Sequence, residues 1–184
     1  MSLISNQDMI RRATLGDQLR RHAQHQPKKA AVIFYRPDGS REEVSYSELN
    51  GRANAFAAYL ELQGVKRGDC VAMMSRNSPD YVVAWYATLK LGASFTGVNF
   101  TFTEKEITYQ ISHADPKVMI VEDSFVGKFD NIKDQLTGIN AKVVSNTVAD
   151  TASKEWLRFS DVIKTHDRVE VDRMVSEDDI AMLI

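Results

Sequence analysis

Apolar positions along the chain fall into two alternating kinds of run. One kind is short and unbroken, at residues 31–35, 70–74, 93–98, 117–121, 142–145 and 180–184. Runs of that length suit strands covered on both faces. The last of them reads as a buried strand that is cut off at the chain end. The other kind repeats at helical spacing. Leu15, Leu19 and Ala23 share a face, as do Leu49, Ala53, Phe56, Ala57 and Leu60. Val82, Trp85, Tyr86 and Leu89 form the expected buried stripe of a third helix, Ile107 and Ile111 that of a fourth, and Phe125, Phe129, Ile132 and Leu136 suggest a fifth. Residues 156–163 are expected to be a short helical or irregular segment.

The helix ends carry their own signals. Thr14 is a candidate N-cap for a helix over residues 15–25, with Asp17 near the positive helix end and Pro27 beyond its close. Ser45-Tyr46-Ser47-Glu48 and Thr103-Glu104-Lys105-Glu106 match the capping box, in which two side chains satisfy backbone N–H groups reciprocally. Ser78-Pro79-Asp80 places a capping serine, a first-turn proline and a dipole-complementing acid in order. Gly64 and Gly92 are helix stops. Pro37-Asp38-Gly39 is a turn between residues 31–35 and Glu43-Val44, which predicts a β-hairpin. Strand–helix–strand repetition implies an α/β fold with a mostly parallel sheet flanked by helices, to which the hairpin could add antiparallel pairing at one edge. No repeat, low-complexity tract or linker divides the 184 residues, so one domain is expected.

Composition narrows the class without changing that picture. Hydrophobic residues make up 43% and the net charge is −2, so neither disorder nor a global basic field for nucleic acid is expected. Six Lys/Arg (Arg11, Arg12, Arg20, Arg21, Lys28 and Lys29) face only Asp8 and Asp17 in the first thirty residues. They fit a solvated helix face, or else contact with an acidic partner or membrane surface. The stretch after Ser145 is acidic, ending in Glu177-Asp178-Asp179. No apolar run spans a membrane, and the N-terminus lacks a signal peptide's apolar core. Met1-Ser2-Leu3 has the look of a cloning remnant. The single cysteine, Cys70, sits in an apolar run and reads as a buried, inert thiol in a reducing, cytoplasmic setting.

Candidate chemistry is sparse. Neither a GxGxxG nor a GxxxxGK[ST] loop occurs; Gly127-Lys128 lacks the flanking residues of the latter. His22 and His25 share a helix side without acidic or cysteine company, and Ser112-His113 point apart on a helix. Asp178-Asp179 could meet a cation but suits solvation better. Asn99-Phe100-Thr101 matches a glycosylation sequon with no secretion signal to give it meaning. Phe100 and Phe102 follow the strand at 93–98. Ligands of open parallel sheets approach the carboxyl ends of strands, so this loop is the best binding candidate on topology, while packing at the loop edge is the favoured reading of these two rings.

These elements also resemble a known family. Ser45-Tyr46-Ser47-Glu48-Leu49, Gly64-Val65-Lys66-Arg67-Gly68-Asp69, Asn77-Ser78-Pro79-Asp80, Leu89-Lys90-Leu91-Gly92-Ala93, Val98-Asn99 and Thr103 stand in the order and spacing of acyl-CoA synthetases, which are AMP-binding, adenylate-forming enzymes. Glu177-Asp178-Asp179-Ile180-Ala181 resembles the strand that in this family enters a Ser/Thr/Gly-rich phosphate loop. Gly97 stands where many members have proline, and so does Phe100, which leaves the conformation of that loop open.

The resemblance implies a first subdomain, residues 1–184, of a larger N-terminal domain, truncated before the phosphate-binding loop. It implies ATP-dependent activation of a carboxylic, fatty-type acid to an acyl-adenylate, with transfer to coenzyme A and Mg²⁺ accompanying ATP. An amino-acid-activating or luciferase-like member is possible within the family. The family's catalytic, acyl-binding and metal-binding motifs match nothing in this chain. No residue is therefore assigned a catalytic, substrate-binding or metal role, and the 184 residues alone are expected to be inactive and to bind no cofactor. Self-association through an apolar face at the chain end is also expected. A stand-alone α/β interaction module that kept the scaffold, or an unrelated flavodoxin-like binder, are the alternatives.

Overall fold

A computed structural model describes residues 14–145 and 156–184. Met1-Ser2-Leu3, Asp8, Arg11 and Arg12 lie outside the described residues, as do the first ten residues after Ser145. Helix α1 is Leu15–His25. Strands β1, Ala30–Tyr35, and β2, Arg41–Ser45, pair antiparallel. There follow α2 at Tyr46–Leu62, β3 at Cys70–Met74, α3 at Pro79–Lys90, β4 at Ser94–Gly97, α4 at Glu104–Ala114 and β5 at Pro116–Glu122. A short α5 at Val126–Asp130, β6 at Ala141–Ser145, β7 at Leu157–Arg158, α6 at Phe159–Thr165 and β8 at Met182–Leu183 complete the chain.

Six strands form one sheet in the order β7-β6-β5-β3-β4-β8, and every pairing in it is parallel. Alternation along the strands feeds two cores. Val71, Met73, Phe95, Val118 and Ile120 join α1, α2, α3 and α6 on one face. Ala72, Met74, Met119 and Val121 join α4 and α5 on the other. The route explains the division. The chain goes from β3 to β4 through α3, then reverses direction to β5 through α4. Keeping one hand of crossover while reversing direction requires changing face.

Caps hold these helices where the sequence placed them. Thr14 Oγ1 accepts from Asp17 N, Ser78 Oγ from Tyr81 N, and Thr103 with Glu106 closes a full capping box. The box at Ser45 is only half made. Ser45 Oγ accepts from Glu48 N, but the Glu48 carboxylate turns outward to Arg52 and Arg168.

Four expectations need correction. The hairpin is a two-stranded sheet of its own and extends no edge of the main sheet. In α3 the buried positions are Pro79, Val83, Ala84, Ala87, Thr88, Leu89 and Lys90, whereas Val82, Trp85 and Tyr86 are only partly buried. Small Ala84 and Ala87 share a core with Ala53 and Ala57 of α2, and the bulky rings stand at the rim. The fifth helix is broken: a 3₁₀ turn at Asp123–Phe125, α5, then a second 3₁₀ turn at Lys133–Gln135, with Phe129 and Ile132 inward. Finally, residues 180–184 are not a buried strand. β8 joins β4 for two residues at the sheet edge, and Ile180, Met182 and Ile184 are exposed. An edge strand lacks a neighbour on one side, and its apolar residues alone do not bury it.

Candidate functional site

Strands β3 and β5 are neighbours, and their outgoing connections leave on opposite faces toward opposite edges of the sheet. The crevice outside their carboxyl ends is therefore the topological switch point, where open parallel sheets receive ligands. Ser75 and Arg76 follow β3, and Glu122 closes β5. Glu122 accepts a hydrogen bond from Arg76 N at 2.8 Å, an ion pair from the Arg76 guanidinium, and a hydrogen bond from Ser124 Oγ at 2.6 Å. Burial pushes the Glu122 carboxyl up. The hydrogen bonds from Ser124 and Arg76, with the guanidinium charge, outweigh that and hold it below the ordinary carboxylate range.

The loop after β4 meets this pair. Phe100 stacks on Phe125 with ring centroids 5.1 Å apart and planes at 10°, and the Arg76 guanidinium lies 5.5 Å and 4.7 Å from the two centroids. Lys128 Nζ donates to Phe100 O at 3.0 Å. Within the loop, Asn99 Oδ1 accepts from Thr101 N and Oγ1. The Arg76 side chain is 56% exposed, so its outer N–H groups face solvent beside two aromatic rings. Such an edge can hold an anionic group next to a planar ring.

Beside it runs a groove of about 1140 Å³, open to solvent and lined by Gly97, Phe102, Tyr109, Gln110, Leu183 and Ile184 among others. Gln110 Nε2 donates to Gly97 O at 3.1 Å, and Thr96 Oγ1 donates to Leu183 O at 3.1 Å, which ties α4 and β8 to the β4 wall.

The AMP-binding enzyme family model matches residues 19–184. The chain belongs to that family. Similar curated proteins include the crotonobetaine/carnitine–CoA ligase of Proteus mirabilis, 34% identical over 98 residues, covering 53% of this chain and 19% of the relative. The indoleacetate–CoA ligase of Aromatoleum aromaticum is 28% identical over 150 residues, covering 82% of this chain and 28% of the relative. Among solved structures, an anthranilate CoA ligase in complex with anthranoyl-AMP superposes with a TM-score of 0.83 at 24% identity, covering 92% of this chain and 31% of that one. Acetoacetyl-CoA synthetase from Streptomyces lividans gives 0.85 at 20%, covering 92% and 27%. The chain thus spans less than a third of the length of these relatives.

Within this AMP-binding scaffold the candidates noted in the sequence separate. Phe100 joins the switch-point edge, whereas Phe102 lines the groove. His22, His25 and His113 are exposed; His22 Nδ1 pairs with Gln26 Nε2 and His113 Nδ1 with Tyr109 O. His166 packs edge-on against Tyr59. Asp179 is held by an ion pair at the surface rather than left to solvent alone: Arg67 donates to both its oxygens. That pairing holds its carboxyl below the usual range. Cys70 is buried, and burial pushes its thiol up to about 11. A Cβ added at Gly127 would meet no other atom within 4 Å.

The sequence reading missed Arg76 and Glu122, and no local motif marks them. The available signal was topological: the residues just past two adjacent strands whose helices cover opposite faces. Also missed was Lys90, whose side chain is 3% exposed and ion-paired to Glu170. Burial lowers its pKa, opposed by that partner.

Proposed function

We propose that this chain is the opening part of an ATP-dependent acid–thiol ligase. The whole protein would join a carboxylic acid to the α-phosphate of ATP, releasing pyrophosphate, and then transfer the acyl group to the thiol of coenzyme A, releasing AMP. The observation that carries the reading is the family match over residues 19–184 on a parallel sheet with an open switch-point crevice. The relatives act on acids as different as crotonobetaine and indoleacetate, and others are named for medium- and long-chain fatty acids. A fatty acid is accordingly the first substrate to test.

Within that reaction, residues 1–184 are the first subdomain and act as scaffold and binding edge. Arg76, over the Phe100–Phe125 stack, would receive a substrate part that is both anionic and ring-bearing, as a nucleotide is. Among the described residues no three His, Cys, Asp or Glu side chains gather to hold a metal, and the chain has no glycine-rich phosphate cradle. Its own residues therefore do not fit Mg²⁺ or the triphosphate, and no chemical step is assigned to them. The proposal sets the protein in the cytosol, in keeping with one buried thiol. Among the described residues no helix is long and apolar enough to cross a membrane. Acid-dependent ATP–pyrophosphate exchange and thioester formation by the complete protein test the reading. A complete protein inert toward a broad panel of acids favours the interaction-module alternative.

A further inference from the structure

Between α6 and β8 the chain must travel from one edge of the sheet to the other, because β7 and β8 are its two outermost strands. It does so through residues 167–179 without helix or strand. The segment runs along α2 and is attached mainly by charge. Arg168 Nη1 donates to Glu48 Oε2 at 2.8 Å, near the start of α2. Glu170 pairs with Lys90 and accepts from Asn50 Nδ2 at 2.8 Å and Asn54 Nδ2 at 3.1 Å. Arg173 grips Glu61 with two hydrogen bonds near the end of α2, and Asp179 is held through both oxygens by Arg67. Read from Arg168 to Asp179 the anchoring charges are plus, minus, plus, minus, and their partners are the reverse. A slipped or reversed segment would set like charges together.

Apolar burial contributes little to this attachment. Val171 packs against the core, but Val169 and Met174 are exposed. At the far end, β8 pairs over only two residues, with Phe95 N donating to Ala181 O at 3.1 Å. Yet Leu183 and Ile184 form one wall of the 1140 Å³ groove.

We propose that residues 167–179 are a charge-coded strap that holds β8 in place as a releasable wall of the groove. Three of its four anchors are exposed ion pairs, which salt screens. The fourth, Lys90–Glu170, is mostly sheltered and sets the register. Loosening the strap frees β8 from β4 while the sheet centre stays closed.

Amide hydrogen exchange of the 184-residue chain tests this. The Phe95 N–H reports the β4–β8 pairing, and the Met119 and Ile120 amides report the sheet centre. Raising NaCl from about 0.05 M to about 1 M should lower Phe95 protection about ten-fold and leave the centre unchanged. Arg67→Gln, at an exposed anchor, should do part of the same at low salt, and Glu170→Gln should do more. Exchanging the charges of the last anchor, Arg67→Asp with Asp179→Arg, should restore protection. Phe95 protection that stays within two-fold of its starting value under salt and in Arg67→Gln overturns the proposal. So does a Phe95 loss matched by Met119 and Ile120, which would make the strap part of the global fold. If Glu170→Gln fails to fold, the salt series and Arg67→Gln decide alone.

Discussion

A Cβ placed on Gly97 would lie 2.5 Å from the hydroxyl oxygen of Tyr81, inside any tolerated contact, and 3.8 Å from the ring carbon bearing it. Gly97 ends β4 and Tyr81 stands on the first turn of α3, with its ring edge-on to Phe95. Tyr81 thus occupies the space that a side chain at Gly97 would need. Gly97→Ala should lower stability by about 1–3 kcal/mol, as overpacking does. Tyr81→Phe removes the clashing oxygen and leaves an ordinary contact. Chemical denaturation of both single variants and the double variant should give a coupling of about 1 kcal/mol or more, with the double variant better than Gly97→Ala alone.

Glu122→Gln should cost about 1–2 kcal/mol at pH 7, because it replaces a carboxylate that accepts charge-assisted bonds from Arg76. A carboxyl held below its ordinary pKa contributes stability above the unfolded-state value, about 4.3, and loses it as pH falls through the folded value. The gap between wild type and Glu122→Gln in urea titrations should therefore close as pH drops below about 4. A gap that persists at low pH would place the effect in packing.

Cys70 should resist alkylation by iodoacetamide at pH 8 in the folded chain, because only the thiolate reacts and burial keeps it protonated until about 11. Labelling should rise together with unfolding in a urea series. Fast labelling of the folded chain would show an accessible thiolate.

How legible this molecule was depends on whether a signal is local or assembled. Thr103 and Glu106 lie three residues apart and complete their box within one turn, so the sequence announced them. Glu48 lies three residues from Ser45 as well, but Arg168, 120 residues away, competes for its carboxylate. The parallel sheet followed from alternating runs, and the two-faced core from unbroken ones such as residues 70–74. Residue type misled in α3, because Trp85 and Tyr86 look like core while alanines make the close helix contact. Residues 180–184 look equally apolar whether central or at an edge, and strand order is set by long-range pairing. The switch-point pair Arg76 and Glu122 lies 46 residues apart in the chain, and only the sheet brings it together.

Exposed Ile180, Met182 and Tyr109 flank the open side of β8. An unpaired edge beside apolar surface favours association between copies. Sedimentation velocity of the 184-residue chain should show mass rising with concentration, and Met182→Lys should return it toward monomer. A clean monomer at high concentration would remove the expectation.

Acid-dependent exchange of labelled pyrophosphate into ATP tests the central claim most directly, measured in parallel on the 184-residue chain and on the complete protein that contains it. The account predicts exchange by the complete protein with at least one carboxylic acid, and none by the 184 residues alone. A complete protein that exchanges nothing across fatty, aryl and short-chain acids would contradict it. So would exchange by the shorter chain, since its residues provide no phosphate cradle.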